Sequence, residues 1–375
     1  MAVTGKVLGI WRTLTILASL LAVSNPAAAC SSFRVLTEDG NNFFVFNFEL
    51  GGPRDLIETR VVYYPVGTDF KGTAPDDRKP ANWSSKYAVV GMGWFDQPML
   101  AGGINEHGHS GANLNLPNYT KYQEASEADD GKIIAGWDVP TYFLTQFKSV
   151  QEVREAVQDV KVVFSLWNVR GFELPIEFHY TFHDPSGDSI VLEYIDGEPK
   201  IYDNELGVMT NSPDFEWQRV NLNNYVNLTA EDAPSRDVGD VTLLATGTGS
   251  GMLGLPGDYT PPSRFVRTVA LTQTALPAKN HSEGLMSAFR ISNAISFPEG
   301  PARQIIGDQV LAGKTDFQLV ADTANRIMYF RDYDYPNWRS IDLKVLAESA
   351  TARLILNPSQ GPAISSAVPD LKSSD

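Results

Sequence analysis

Pairs of β-rich runs joined by short polar turns, with helical stretches between the pairs, restrict the fold most. Ser31 to Leu36 and Phe43 to Leu50 flank Thr37-Glu38-Asp39-Gly40-Asn41-Asn42, a hairpin signature. In Ile176 to His183 the residues Phe178, Tyr180 and Phe182 share one face, Pro185-Ser186-Gly187-Asp188 turns, and Ser189 to Tyr194 returns. Thr315 to Ala321 and Arg326 to Arg331 make a further pair. Helices are predicted over Val139 to Phe147, over Val150 to Val157 with Ser149 and Glu152 as a capping box, and around Glu283 to Ala294. Antiparallel hairpins separated by helices imply an α+β layered fold. Between Cys30 and Leu356 no composition break, linker or internal repeat is legible, so one domain is expected over 30–356. Asn357 to Asp375, rich in Ser, Pro and Ala, reads as a loose C-terminal tail.

Charge and cysteine count exclude whole classes of function. With 45 Asp+Glu against 30 Lys+Arg the formal charge is -15. Nucleic-acid binding draws its affinity from clustered Lys and Arg, so no nucleic-acid partner is expected. A single cysteine forms no intramolecular disulfide and excludes the usual Cys-rich zinc sites. Residues 1–29 read as a signal peptide: Lys6 and Arg12 are its basic region, Leu14 to Val23 its apolar core, and Ala27-Ala28-Ala29 its small-residue cleavage site. No later stretch approaches ~18 uncharged apolar residues, so no membrane span is expected and the mature protein is placed in the periplasm or outside the cell.

Cleavage after Ala29 would leave Cys30 as the first residue, and three chemistries fit that position. Cys30 is a small buried hydrophobe, or a lipid-attachment cysteine, or a nucleophile whose base is its own freed α-amine. The lipid reading is the poorer match, because Ala27 stands where lipoproteins usually have Leu. An α-amine with a pKa of about 7.7 to 8.0 is close enough to neutral to take and return a proton within a turnover.

Other motifs carry less. Gly249, Gly251 and Gly254 fit the spacing of a dinucleotide-binding loop, but Leu255-Pro256-Gly257 follows where a helix would have to begin. Gly313-Lys314-Thr315 resembles the end of a phosphate loop, yet Asp308 replaces its first Gly. His107 with His109, and His179 with His183, read as solvated histidines rather than metal ligands. No G-x-S-x-G occurs, which removes the usual serine-hydrolase elbow, and neither metal nor cofactor is expected.

The stretch Cys30 to Gly40, followed by Gly103-Ile104-Asn105-Glu106-His107-Gly108 running into Leu114-Asn115-Leu116-Pro117, resembles the choloylglycine hydrolase family, which includes bile salt hydrolases and penicillin V acylases. So do Gly207 to Phe215 with Asn221 to Tyr225, Leu255-Pro256-Gly257-Asp258 before Ser263-Arg264-Phe265-Val266-Arg267, and Arg326 to Leu343. The motifs keep the family's order and span nearly the whole mature chain. The resemblance implies a four-layer αββα N-terminal nucleophile (Ntn) hydrolase sandwich that cleaves a linear amide without a cofactor and assembles as a homotetramer. It also implies roles. Cys30 would attack as thiolate, while the Asn211 side-chain amide and the Asn115 backbone N–H would face the developing oxyanion. Arg264 would stabilise both charges. Glu49 would stand where the family has a shorter acid that holds the terminal amine.

One position departs from the family. Phe46 occupies the place of an arginine near the cysteine, and Arg34, on the same strand face as Cys30, is the nearest substitute in sequence. Without a cation beside it a thiol ionises less readily. Two readings therefore stand side by side: an exported acylase working on an N-acyl amide through a thioester, and a weak or inactive periplasmic acyl-binding protein or lipoprotein of the same fold.

Overall fold

The computed structural model describes residues 29–49, 59–94, 99–169, 172–306 and 309–359. The predicted signal segment up to residue 28 and the tail from 360 onward lie outside the described residues. Two antiparallel sheets face each other. The strands, in chain order, are β1 (Ser31–Leu36), β2 (Asn42–Glu49), β3 (Thr59–Tyr64), β4 (Val89–Trp94), β5 (Leu100–Asn105), β6 (Ser110–Asn115), β7 (Phe178–His183), β8 (Ser189–Ile195), β9 (Glu198–Asp203), β10 (Thr315–Asp322), β11 (Ile327–Asp332), β12 (Arg339–Asp342) and β13 (Leu354–Leu356). One sheet runs β1-β2-β10-β11-β12 and the other β9-β8-β7-β6-β5-β4-β3-β13.

The six α-helices of the described residues are α1 (Val139–Gln146), α2 (Val150–Ala156), α3 (Phe215–Asn221), α4 (Pro261–Thr274), α5 (His281–Ile295) and α6 (Leu343–Ser349). Packing of α4 and α5 covers the outer face of the five-stranded sheet, and α1 lies on the outer face of the larger one. There the Thr141 hydroxyl accepts from the Leu100 N–H at 2.8 Å. At Gly284 in α5, a Cβ would stand 2.4 Å from Thr37 Cγ2 and 2.7 Å from the Phe43 ring, so only glycine lets the helix sit this close to β1 and β2. Between the sheets, Phe44 stacks on His183 with ring centroids 4.6 Å apart. The result is an α+β sandwich with layers αββα.

The layering explains the sequence of β2. Every residue from Asn42 to Glu49 is buried, because one face of the strand meets the helices and the other meets the second sheet. Such a strand reads as a continuous apolar run, whereas the edge strand β9 alternates. The predicted hairpins appear with little change: β1 pairs with β2 from Ser31↔Asn47 to Leu36↔Asn42, closed by a turn in which Gly40 takes φ +86°. Of the predicted helices, α1 stops one residue early, and α5 runs from His281 to Ile295. The capping box at α2 is half formed. Ser149 Oγ accepts from the Glu152 N–H at 3.3 Å, but the Glu152 carboxylate accepts from Lys148 rather than from Ser149.

Three histidines overturn the expectation that they are solvated. His109, His179 and His183 are buried, and of the four only His107 is exposed. His179 and His183 lie on a strand with layers on both faces, so its polar-looking positions turn inward, while His109, in the turn before β6, is buried with Nδ1 2.9 Å from the Phe147 carbonyl at the end of α1. Burial pushes His109 down to about 4 and His183 well below the ordinary range. The folded protein therefore keeps His109 neutral while an unfolded chain takes up a proton near pH 6.5. Stability should fall as pH drops from about 6.5 to about 4, by roughly 3 kcal/mol from His109 alone. Urea unfolding across that window is expected to show a shallower pH slope for His109→Gln than for the wild type, and matching slopes would remove His109 as a source.

Candidate active site

Strand alternation divides the residues around Cys30 between two layers. Cys30, Ser32 and Arg34 lie on the face of β1 shared with Phe44, Phe46 and Phe48, toward the second sheet. Ser31, Asn47 and Glu49 lie on the opposite face, toward the helices; there Asn47 Nδ2 donates to the Ser292 carbonyl of α5 at 3.0 Å. The β1–β2 ladder extends one step past Ser31, because the Ala29 N–H donates to the Glu49 carbonyl at 2.8 Å. Cys30 is thus held in extended backbone, 3% exposed, with Sγ 3.9 Å from that same carbonyl.

Arg264 ties the two layers together. It sits in the first turn of α4, which begins with Pro261-Pro262, residues that suit a helix start because the first N–H groups have no intrahelical partner. Its side chain is fully buried. Nη1 donates to the Cys30 carbonyl at 2.6 Å and to Ser31 Oγ at 2.5 Å, Nη2 donates to Asn211 Oδ1 at 2.8 Å, and Nε donates to the Tyr259 carbonyl at 3.0 Å. Glu49 Oε2 lies 3.5 Å from Nη1. The guanidinium fork, with donors fixed in a plane, is what allows one side chain to organise this many acceptors.

Glu49 is the least satisfied member. Its Oε1 accepts from Thr315 Oγ1 at 2.9 Å, while Oε2 has no hydrogen-bond partner among the described residues. Burial drives its carboxyl up to about 8 against the pull of Arg264 and Thr315. The reason is dryness, together with a guanidinium whose hydrogen bonds go to other acceptors. Burial also pushes the Cys30 thiol up to about 12, with Arg264 opposing.

The Thr210-Asn211 segment is pinned from several sides. Ser32 and Met209 exchange backbone hydrogen bonds at 2.8 and 3.0 Å, and Thr210 Oγ1 donates to the Pro261 carbonyl at 3.0 Å. Asn211 Nδ2 donates to the Asn115 carbonyl at 2.9 Å, an amide orientation fixed by Arg264 donating to the other side-chain atom. The next residue, Leu116, pairs its N–H with the Glu177 carbonyl across β7, so the N–H and C=O of Asn115 turn the other way, toward Asn211.

All five residues singled out in the sequence, Cys30, Glu49, Asn115, Asn211 and Arg264, come together here. Asn211 uses one of its two amide hydrogens on Asn115 and keeps the second for another acceptor. Arg34 does not join them: it reaches the far end of β1 and donates to the Gly187 and Glu205 carbonyls. Phe46 faces the Cys30 side of the sheet as a fully buried ring, and a Cβ on Gly102 of the opposing sheet would stand 3.1 Å from it. Sequence reasoning missed the helix that carries Arg264, although Asp258, Thr260 and the paired prolines form a legible start; Thr260 and Ser263 both donate to the Asp258 carboxylate. Ser31 and Tyr259, which hold Arg264, carried no signal.

An αββα sandwich with its cysteine at the opening of the first strand, at the edge of one inner sheet, is the architecture of the Ntn hydrolases. Residues 30–349 match the family model described as linear amide C–N hydrolases, choloylglycine hydrolase family, and the chain belongs to that family. It is 31% identical over 324 residues to a bile salt hydrolase/transferase of Clostridium perfringens, covering 84% of this chain and 92% of the relative. To a penicillin V acylase of Pectobacterium atrosepticum it is 27% identical, over 82% of this chain and 80% of the relative. A crystal structure of a variant conjugated bile acid hydrolase from C. perfringens superposes with a TM-score of 0.75 at 28% identity, covering 88% of this chain and 97% of that one. That of a penicillin V acylase from Agrobacterium tumefaciens, at 23% identity and TM-score 0.68, shares the fold.

Proposed function

We propose that the chain is exported, that removal of residues 1–29 frees Cys30 as N-terminal nucleophile, and that the mature enzyme hydrolyses the amide of a small N-acyl compound. The freed α-amine takes the thiol proton as Sγ attacks the acyl carbonyl. The proton then passes to the leaving nitrogen as the C–N bond breaks, leaving a thioester that water hydrolyses. The second amide hydrogen of Asn211 and the Asn115 N–H receive the oxyanion, and Arg264 balances the charge. The acyl donor is a conjugated bile acid, a phenoxyacetyl group as in penicillin V, or the fatty acyl chain of an N-acyl homoserine lactone.

One observation carries this reading: the Cys30 carbonyl and the Glu49 carboxylate converge on the same Arg264 nitrogen, so a carboxylate with one oxygen that accepts no hydrogen bond stands beside the backbone where the amine would be freed. Turnover of penicillin V, glycocholate and an N-acyl homoserine lactone tests it. Cys30→Ser should lose most activity while keeping the fold, since the hydroxyl is a poorer nucleophile of nearly the same size. A fully active serine variant would remove Cys30 from the chemistry.

Phe46 favours the second reading, an acyl-binding protein or lipoprotein without turnover, because it removes a cation from the thiol's side of the sheet. Intact mass of the mature protein separates the two: acylation of Cys30 adds a large increment that a free terminus lacks. A homotetramer is part of the proposal. The excursion between α3 and α4 leaves Val226, Leu244 and Leu253 at least 74% exposed, apolar side chains that a second copy could cover. Leu244→Asp with Leu253→Asp should lower the mass measured by light scattering, and an unchanged mass would place the contact elsewhere.

A further inference from the structure

The Thr210-Asn211 segment has one ionisable neighbour that the proposed mechanism leaves unused. His179, on the strand that also pairs Phe178 with Asn115, is buried. Its Nε2 lies 2.9 Å from the Thr210 carbonyl and its Nδ1 lies 2.9 Å from Glu193 Oε1. Glu193, on β8, is fully buried too; the same Oε1 accepts from the Phe215 N–H at 3.0 Å, and Oε2 has no partner among the described residues.

Hydrogen inventory restricts what this arrangement holds. A backbone carbonyl only accepts, so Nε2 carries a hydrogen. If Nδ1 were bare, its lone pair would face a carboxylate oxygen across 2.9 Å with nothing between them. A hydrogen therefore lies on that line, and the pair holds one more proton than a neutral imidazole beside a bare carboxylate. The ring can neither flip nor rotate without breaking a buried hydrogen bond, which is costly in a dry interior.

We infer that His179 and Glu193 are positioning residues that hold one proton between them and use it to fix the Thr210 carbonyl, and through it the Asn211 side chain beside Cys30. The inference rests on the proposed function in giving Asn211 the oxyanion. Three other contacts already hold the segment's neighbours: Gln218 Nε2 donates to the Asn211 carbonyl at 3.1 Å, Ser212 Oγ to the Pro117 carbonyl at 2.8 Å, and Arg264 to Asn211 Oδ1. Only His179 fixes the peptide between Thr210 and Asn211 from its carbonyl side among the described residues. Rotation of that peptide would swing the Asn211 amide off the oxyanion while leaving Cys30 untouched.

The test uses the processed full-length enzyme, His179→Gln, Glu193→Gln and penicillin V as probe. An oxyanion donor acts mainly in the transition state, so kcat should fall roughly 10- to 100-fold in both variants while KM stays within about threefold. Alkylation of Cys30 by iodoacetamide, which passes through no oxyanion, should stay within about twofold. Unchanged kcat overturns the inference, and so does a parallel loss of kcat, KM and alkylation, which marks a general structural role. Ring-nitrogen NMR of isotope-labelled histidine supplies an arm independent of turnover. A proton shared between Nδ1 and Glu193 should give the His179 Nδ1 signal of the wild type a different position from that in Glu193→Gln; an Nδ1 signal unchanged by that substitution overturns the inference. A wild type inert toward penicillin V, glycocholate and acyl homoserine lactone alike counts against the proposed function, and the NMR arm then decides the inference by itself.

Discussion

Arg264→Leu is expected to cost about 3–5 kcal/mol of unfolding free energy and on the order of 10²–10³ in kcat. The size follows from what the guanidinium touches. It is fully buried and supplies hydrogen bonds to the Cys30 and Tyr259 carbonyls, Ser31 Oγ and Asn211 Oδ1. Leucine fills similar space and donates nothing, so these acceptors lose their bonds in a dry interior and the Glu49 carboxylate loses its ion-pair partner, with the more distant Arg267 left as a weaker countercharge. Arg264→Lys should recover little, because one ammonium cannot reproduce a planar fork.

The double variant Arg264→Leu with Glu49→Gln separates charge from hydrogen bonding. If an orphaned carboxylate is the main cost, urea unfolding should show the pair of changes to be less damaging than the two single losses added together. Strict additivity would mean that Arg264 works through its neutral acceptors alone. Glu49 also sets a pH signature. Its folded carboxyl is raised to about 8, so its contribution to stability is fully present below the unfolded value near 4.5 and is lost as pH rises through about 8. In Arg264→Leu the cation no longer opposes burial, and that alkaline loss should move to higher pH.

What the sequence disclosed about this site was its chemistry and not its wiring. Hairpins could be read because alternation, turn residues and strand length are local properties, and β1, β2, β7, β8, β10 and β11 came out within a residue or two. Burial could not be read locally. A strand with layers on both faces puts polar residues inside, which is why His179 and His183 looked solvated and are not, and His109 is buried from a turn that packs against the end of α1. Arg264 looked like a surface residue apart from the family motif, since nothing near it in sequence tells that its partners lie on β1 and in the 210–211 segment, separated from it by 234 and 53 positions. The departure at Phe46 was legible, but the failure of Arg34 to compensate was not. Shared strand parity put Arg34 and Cys30 on one face, and four residues of extended chain then carried the guanidinium to the other end of the strand.

Removing everything before Cys30 is expected to turn an inert thiol into a reactive one. With Ala29 attached, residue 30 is an amide, its thiol is 3% exposed, and burial pushes its pKa up to about 12. At a pH of about 8 only one thiol in roughly ten thousand is then ionised. Cleavage would remove the Ala29 hydrogen bond to the Glu49 carbonyl and free an amine beside the Glu49 oxygen that accepts no hydrogen bond, and it is expected to open the thiol to water. A return to an ordinary thiol value near 8.5 to 9 raises the ionised fraction about a thousandfold. A more acidic thiolate is also a weaker nucleophile, with a Brønsted coefficient of about 0.4–0.5, so ionisation alone should speed iodoacetamide alkylation about 50-fold. Restored access adds to that figure. The two forms should differ in shape as well: the unprocessed chain's rate climbs about tenfold per pH unit without a plateau up to pH ~11, whereas the processed enzyme levels off near pH ~9. Amide hydrolysis should appear only in the processed form, because an amide nitrogen cannot serve as the base. Equal alkylation curves and equal turnover in a chain that retains Ala29 and one that begins at Cys30 would refute both the amine mechanism and the need for processing.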